Sequence, residues 1–142
     1  MLFRSALAPM DLQSATVCIT GGSSGIGLGL AERFLRSGST VVVTGRRANA
    51  LQEAKSKLPG LHTFQGDVGE EADRIKLVKW LKENFPKLNI FVANAGIMRR
   101  FNLASETESW KATQNEIRIN LDSPIHFMYL LTPHFLKQPE VS

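Results

Sequence analysis

A chain of 142 residues, 43% hydrophobic and 21% charged, is long enough for one packed core and too short for two. Its formal charge of +4 comes from 17 Lys and Arg scattered among 13 acids, with no basic cluster interleaved with aromatics, which argues against a nucleic-acid partner. One cysteine, Cys18, allows no intramolecular disulfide, and His62, His126 and His134 lack ligand spacing, so no metal and a reducing, cytoplasmic compartment are expected.

Residues 1–12 form an N-terminal extension, too short and too interrupted for a signal peptide core or a membrane span. The first apolar run, residues 16–20, carries β-branched Val17 and Ile19 and breaks into Gly21-Gly22-Ser23-Ser24-Gly25-Ile26-Gly27. Leu28, Ala31, Phe34 and Leu35 then recur at helical spacing until Ser37-Gly38 stops the pattern. A strand, a glycine-rich turn and a helix in that order point a helix N-terminus at whatever lies above the strand. Unpaired N–H groups and the positive end of the helix dipole favour an anion there, and glycines let a phosphate reach the backbone. The turn is not a mononucleotide P-loop, because no Lys follows Gly25 or Gly27. Nor is it Gly-x-Gly-x-x-Gly, because Gly25-Ile26-Gly27 runs into Leu28-Gly29-Leu30; the spacing is Gly21-x-x-x-Gly25-x-Gly27. A glycine-rich turn without a ligand is the alternative.

Residues 40–44 are a β-branched run, as in a strand covered on both faces, followed by Gly45-Arg46-Arg47. A helix over 48–58 faces inward through Leu51, Ala54 and Leu58 and ends at Pro59-Gly60. A third strand, 61–65, closes on Gly66-Asp67-Val68. Glu70-Glu71 then opens a helix with Ile75, Val78, Leu81 and Phe85 inward and Lys79, Lys82 and Lys87 toward its end. A fourth strand, 88–93, ends at Asn94-Ala95-Gly96. After a polar connection, Ser105-Glu106-Thr107-Glu108 fits a capping box for a long helix. Its apolar face runs through Trp110, Ile117, Leu121, Ile125 and Met128 to residues 131–135. Pro124, four residues after Asn120, has no N–H to offer the Asn120 carbonyl, so a bend is expected there. Strands alternating with helices predict an α/β fold: a three-layer, doubly wound parallel sheet of Rossmann type, incomplete at its C-terminal side, forming one domain over 1–142.

Four motifs in order, residues 20–27, Asp67-Val68, Asn94-Ala95-Gly96 and Asn120, resemble the short-chain dehydrogenase/reductase family over residues 12–137. The resemblance implies that Gly21, Ser23, Ser24, Gly25, Ile26 and Gly27 wrap the pyrophosphate and adenosine ribose of a nicotinamide cofactor. Asp67 and Val68 would flank the adenine, and Asn94, Ala95 and Gly96 would support the nicotinamide side. Asn120 matches the family's catalytic asparagine, which holds a water in a proton relay. Plainer roles stand beside these: Asp67 as a helix cap, and Asn94-Ala95-Gly96 as a strand-end turn.

An NAD site places an acid about twenty residues beyond the glycine turn, whereas an Arg receives the 2′-phosphate of NADP. Residues 44–47 read Thr-Gly-Arg-Arg, so NADP is expected over NAD, with Arg46 as the main contact and Arg47 facing solvent. The family's Ser and Tyr-x-x-x-Lys are not found: Tyr129, the only tyrosine, has Pro133 four places on. The expectation is therefore the cofactor-binding part of an NADP-dependent oxidoreductase acting on a small-molecule carbonyl or alcohol, inactive as 142 residues. A non-catalytic nucleotide-binding or dimerising fragment is the alternative. Homo-oligomers are expected through the last helix or the open edge of the fourth strand.

Overall fold

The computed structural model describes residues 11–100, 104 and 110–138. Its elements are β1 (Thr16–Thr20), α1 (Gly25–Arg36), β2 (Thr40–Gly45), α2 (Ala48–Lys57), β3 (His62–Gln65), α3 (Glu71–Asn84), β4 (Ile90–Val92), α4 (Trp110–Ile117), a π-helical turn (Arg118–Asp122) and α5 (Ser123–Phe135). The four strands form one parallel sheet in the order β3-β2-β1-β4. The chain runs outward from β1 to β3 and then crosses back to the other side of β1. That reversal opens a crevice above the C-terminal ends of β1 and β4.

Strand periodicity sorts the core into two layers. Val17, Ile19, Val41 and Val43 face one side and pack with Ala31 of α1 and Leu51 and Ala54 of α2. Cys18 and Val42 face the other and pack with Leu77, Val78 and Leu81 of α3 and Phe127 and Leu131 of α5. The expected three-layer α/β sheet is therefore present, with its β-branched middle strands buried on both faces.

The elements depart from expectation where side chains replace the ladder. The fourth strand is Ile90–Val92 rather than 88–93. At its start the Asn89 side-chain oxygen accepts from Thr16 N (2.9 Å), and at its end Thr20 Oγ1 accepts from Asn94 N (3.1 Å) and Ala95 N (3.0 Å). The third strand begins at His62 rather than at 61, and Leu61 is a buried residue leading into it. On α3 the inward position expected for Ile75 belongs to its neighbour: Ile75 is 47% exposed and Arg74 is 4% exposed. The capping box at 105–108 lies outside the described residues.

Instead of one bent helix, the last segment is α4 and α5 joined by the π turn, in which Ser123 N donates to the Arg118 carbonyl five residues back. The extra residue in that turn sits where Pro124 interrupts α-helical pairing, and Pro124 falls in the first turn of α5, where no N–H is needed. The face of this segment turned to the sheet is Ile119, Ser123, Phe127 and Leu131, at a spacing of four. Trp110, Ile117, Leu121, Ile125 and Met128, expected to pack inward, are exposed. The segment is apolar on two faces, and the sheet covers only one. Among the described residues no helix is long and apolar enough to cross a membrane.

Candidate functional site: a nucleotide-binding cleft

β1 delivers the chain into the glycine turn, and steric demands explain its spacing. Gly21 adopts φ +66°, and a β-carbon there would lie 2.9 Å from Ala95 Cα. At Gly27 a β-carbon would strike the Gly21 carbonyl oxygen and come within 2.6 Å of Asn94 Nδ2. The turn is thus pressed against the end of β4, leaving the N-terminus of α1 bare: Ser24, at the N-cap, makes no side-chain capping bond, and the first turn has no acid. Open N–H groups at a helix N-terminus suit an anion.

The opposite wall is latched to the first by two side chains. Thr20 Oγ1 takes the N–H groups of Asn94 and Ala95, and Asn94 Nδ2 donates to the carbonyls of Thr20 (3.0 Å) and Gly21 (3.2 Å). Asn94-Ala95-Gly96 follows the end of β4 as an irregular segment, and that segment is one wall of the crevice. The third wall is the turn after β3. Asp67 Oδ1 accepts from Gly69 N (2.8 Å), so Asp67 shapes its own turn, and its other oxygen lies 3.9 Å from Arg46 Nη1.

Together these segments line a cleft of about 370 Å³. Of the residues expected at a site, Gly21, Ser23, Ser24, Ile26, Gly27, Arg46, Asp67, Val68, Asn94, Ala95 and Gly96 line it. Arg47, expected to face solvent, lines it too, and the cleft carries two guanidinium groups and one carboxylate. Gly25 stands just outside, opening α1 at φ +56°. Asn120 also stands behind the lining: its Oδ1 accepts from Ile97 N (2.8 Å) and its Nδ2 donates to Ile97 O (2.6 Å), holding the segment that follows Gly96. A larger hollow, about 820 Å³, runs along α4 between Arg99 and Arg118, away from the strand ends.

Two residues not foreseen in the sequence support the third wall. Buried Arg74 donates through Nη1 to Val68 O (2.8 Å), and Arg118 Nη2 donates to Gly69 O (2.8 Å) and Glu70 Oε1 (2.8 Å). The signal for Arg74 was present: it precedes Val78 by one helical turn, a charge on an otherwise apolar stripe.

The uncapped N-terminus of α1 opens on this cleft and offers donors that could hold the phosphate oxygens of a nucleotide. Comparison with known proteins agrees with this class of site. The short chain dehydrogenase family matches residues 15–141. The chain is 43% identical over 133 residues to the uncharacterized oxidoreductase DltE of Bacillus subtilis (strain 168), covering 94% of this chain and 53% of that one. Among solved structures it resembles the 3-ketoacyl-(acyl-carrier-protein) reductase from Brucella melitensis complexed with NADH, with TM-score 0.79 and 28% identity over 87% of this chain and 51% of that one. It also resembles the L-sorbose reductase from Gluconobacter frateurii complexed with NADPH and L-sorbose, with TM-score 0.78 and 26% identity over 89% and 50%. The chain belongs to the short-chain dehydrogenase family. It spans about half the length of the relatives it matches.

Proposed function

We propose that this chain is the NADP(H)-binding part of an oxidoreductase that moves hydride between the cofactor and a small-molecule carbonyl or alcohol. The observation that carries the reading is the convergence of the glycine turn, Arg46, the 67–68 turn and Asn94-Ala95-Gly96 on one cleft at the sheet's crossover point. The cofactor, when bound, supplies or accepts the hydride. Gly21, Ser23, Ser24, Gly25, Ile26 and Gly27 would hold the pyrophosphate and ribose, Asp67 and Val68 the adenine, and Asn94, Ala95 and Gly96 the nicotinamide side.

The two solved relatives hold NADH and NADPH, so the choice between cofactors rests on this chain's own residues. β2 ends in Gly45-Arg46 with no acid to accept from a ribose 2′-OH, and the Arg46 guanidinium is mostly solvent-accessible at the cleft, paired only at 3.9 Å. A phosphate there gains a charge-assisted contact. Arg46→Ala is expected to weaken NADPH about tenfold or more and to leave NADH nearly unchanged in a calorimetric titration. Equal losses for both would refute the preference.

Asn120 is assigned to the proton relay. Its side-chain amide is spent on Ile97, which leaves its backbone carbonyl, denied an α-helical donor by Pro124, to hold a water. Tyr129 is 80% exposed with Pro133 four places on, so it does not form the family's Tyr-x-x-x-Lys pair, and the 142 residues alone are expected to show no turnover. A reducing, cytoplasmic compartment fits the unpaired Cys18. The exposed apolar stripe on α4 and α5 and the edge position of β4 support self-association, which is also the observation favouring a dimerising, non-catalytic role.

A further inference from the structure

The 67–70 turn is held from behind by residues that no part of the cofactor motif contains. Its two consecutive carbonyls, Val68 O and Gly69 O, are each taken by a guanidinium, from Arg74 and Arg118 respectively. Arg74 spends its remaining donors on the last helical segment, with Nε donating to His126 Nδ1 (2.9 Å) and Nη2 to Asp122 Oδ2 (3.3 Å). Ile119, between Arg118 and Asn120, fills the space over Gly69, where a β-carbon would lie 3.2 Å from Ile119 Cγ1. The π turn and the start of α5 thus grip the 67–70 turn through Arg118, Ile119 and the Asp122–Arg74 bridge.

A guanidinium at 4% exposure is costly unless its donors are satisfied, and an apolar side chain would fill the same place on α3 more cheaply. What Arg adds is direction. A planar fork on α3 that bonds both the 67–70 turn and the last helical segment fixes their relative placement, which a Leu or Met would not. Among the described residues the turn's own backbone is held by Gly69 N to Asp67 Oδ1 and Glu70 N to Asp67 O, and Asp73 Oδ2 accepts from Asp67 N (3.0 Å), which leaves the two carbonyls to the arginines.

We infer that Arg74 and Arg118 are positioning residues for the adenine end of the cleft, fixing the 67–70 turn so that Asp67 and Val68 meet the base in one geometry. The inference rests on the nucleotide-cofactor reading above, and the test separates the two. Binding of adenosine 2′,5′-bisphosphate and of adenosine 5′-diphosphate, which carry adenine without nicotinamide, is measured by calorimetry on the 142-residue chain, at a temperature where circular dichroism shows every variant folded. Arg74→Met and Arg118→Ala are each expected to weaken both ligands about tenfold, and Arg74→Lys, which can restore one bond to Val68 O, to recover part of the loss. Leu88→Ala thins the same core layer at the far end of the sheet, outside the lining around Asp67 and Val68, and is expected to leave affinity within about twofold. Unchanged affinity in Arg74→Met and Arg118→Ala, or an equal loss in Leu88→Ala, overturns the inference while the wild-type chain still binds. If Arg74→Met does not fold, Arg118→Ala decides alone, because Arg118 and its partner Glu70 are both about half exposed and its removal leaves no buried charge unpaired. A wild-type chain that binds neither ligand overturns the cofactor reading and this inference with it.

Discussion

At position 27 a single methyl group would collide with the Gly21 carbonyl and the Asn94 amide, two groups that join the walls of the cleft. Gly27→Ala is therefore expected to cost about 1–3 kcal/mol in urea unfolding and to reduce NADPH affinity by about tenfold or more. Wild-type values in both measurements would show that the turn yields without consequence. Thr20 makes a different kind of contribution. Its hydroxyl accepts two N–H groups, and while Asn94 N also bonds Val92 O (3.0 Å), Ala95 N has no second acceptor among the described residues. Thr20→Val keeps the shape and strands that donor, so a loss of about 1–3 kcal/mol is expected at the urea midpoint. A loss near zero would mean that solvent replaces the hydroxyl. Both residues belong to a motif legible in the sequence; the reason each is required lies just past β4, in Asn94 and Ala95, far along the chain.

At the scale of elements, the segment from α4 to α5 carries the main correction. Leu121 and Ile125 read as core because apolar residues recur at helical spacing, but the sheet takes Ile119 and Phe127 instead, together with Leu131, which was expected there. Two apolar faces on one helix cannot be ranked by periodicity, because a hydrophobic pattern names a face without naming its neighbour. The uncovered face is expected to mediate self-association, so that light scattering finds a mass above one chain for the wild type and a monomer for Leu121→Lys with Ile125→Lys. A monomeric wild type at the same concentration would remove that role.

The π turn gives a second prediction for this segment. Pro124→Ala supplies the N–H that the Asn120 carbonyl lacks, which favours α-helical pairing and draws the Asn120 side chain away from Ile97. Hydrogen exchange at the Ile97 amide, bonded to Asn120 Oδ1, is expected to accelerate, and unchanged protection would show that the turn does not depend on the proline.

For the molecule as a whole, Cys18 reports on the integrity of the sheet. It sits fully buried in β1, and burial pushes its thiol far above the ordinary range because the apolar interior cannot solvate a thiolate. The native state keeps the thiol neutral while the unfolded chain ionises it at about pH 8.5, so its contribution is complete below that value and is lost progressively as the pH rises above it. Stability is expected to fall faster above pH 8.5 in the wild type than in Cys18→Ala, measured by urea unfolding, and native Cys18 is expected to resist thiol reagents until the chain unfolds. Equal slopes would place the alkaline loss on other groups.

The parallel sheet, the chain order of its elements and most of the segments that line the cleft were determined by the sequence itself, because they rest on short-range signals. β-branched runs, a glycine turn opening a helix and a turn after each strand act within a few residues of chain. Only the tertiary structure decided which face of the last helix meets the sheet, why β4 is three residues long, and that Arg74 and Arg118 brace the 67–70 turn. Those outcomes depend on pairings between residues 48 to 74 positions apart, from Arg74 with Asp122 to Thr20 with Asn94. A linear pattern does not encode such a pairing. The buried Arg74 guanidinium becomes favourable only once a carbonyl, a carboxylate and an imidazole have been brought around it by the folded chain.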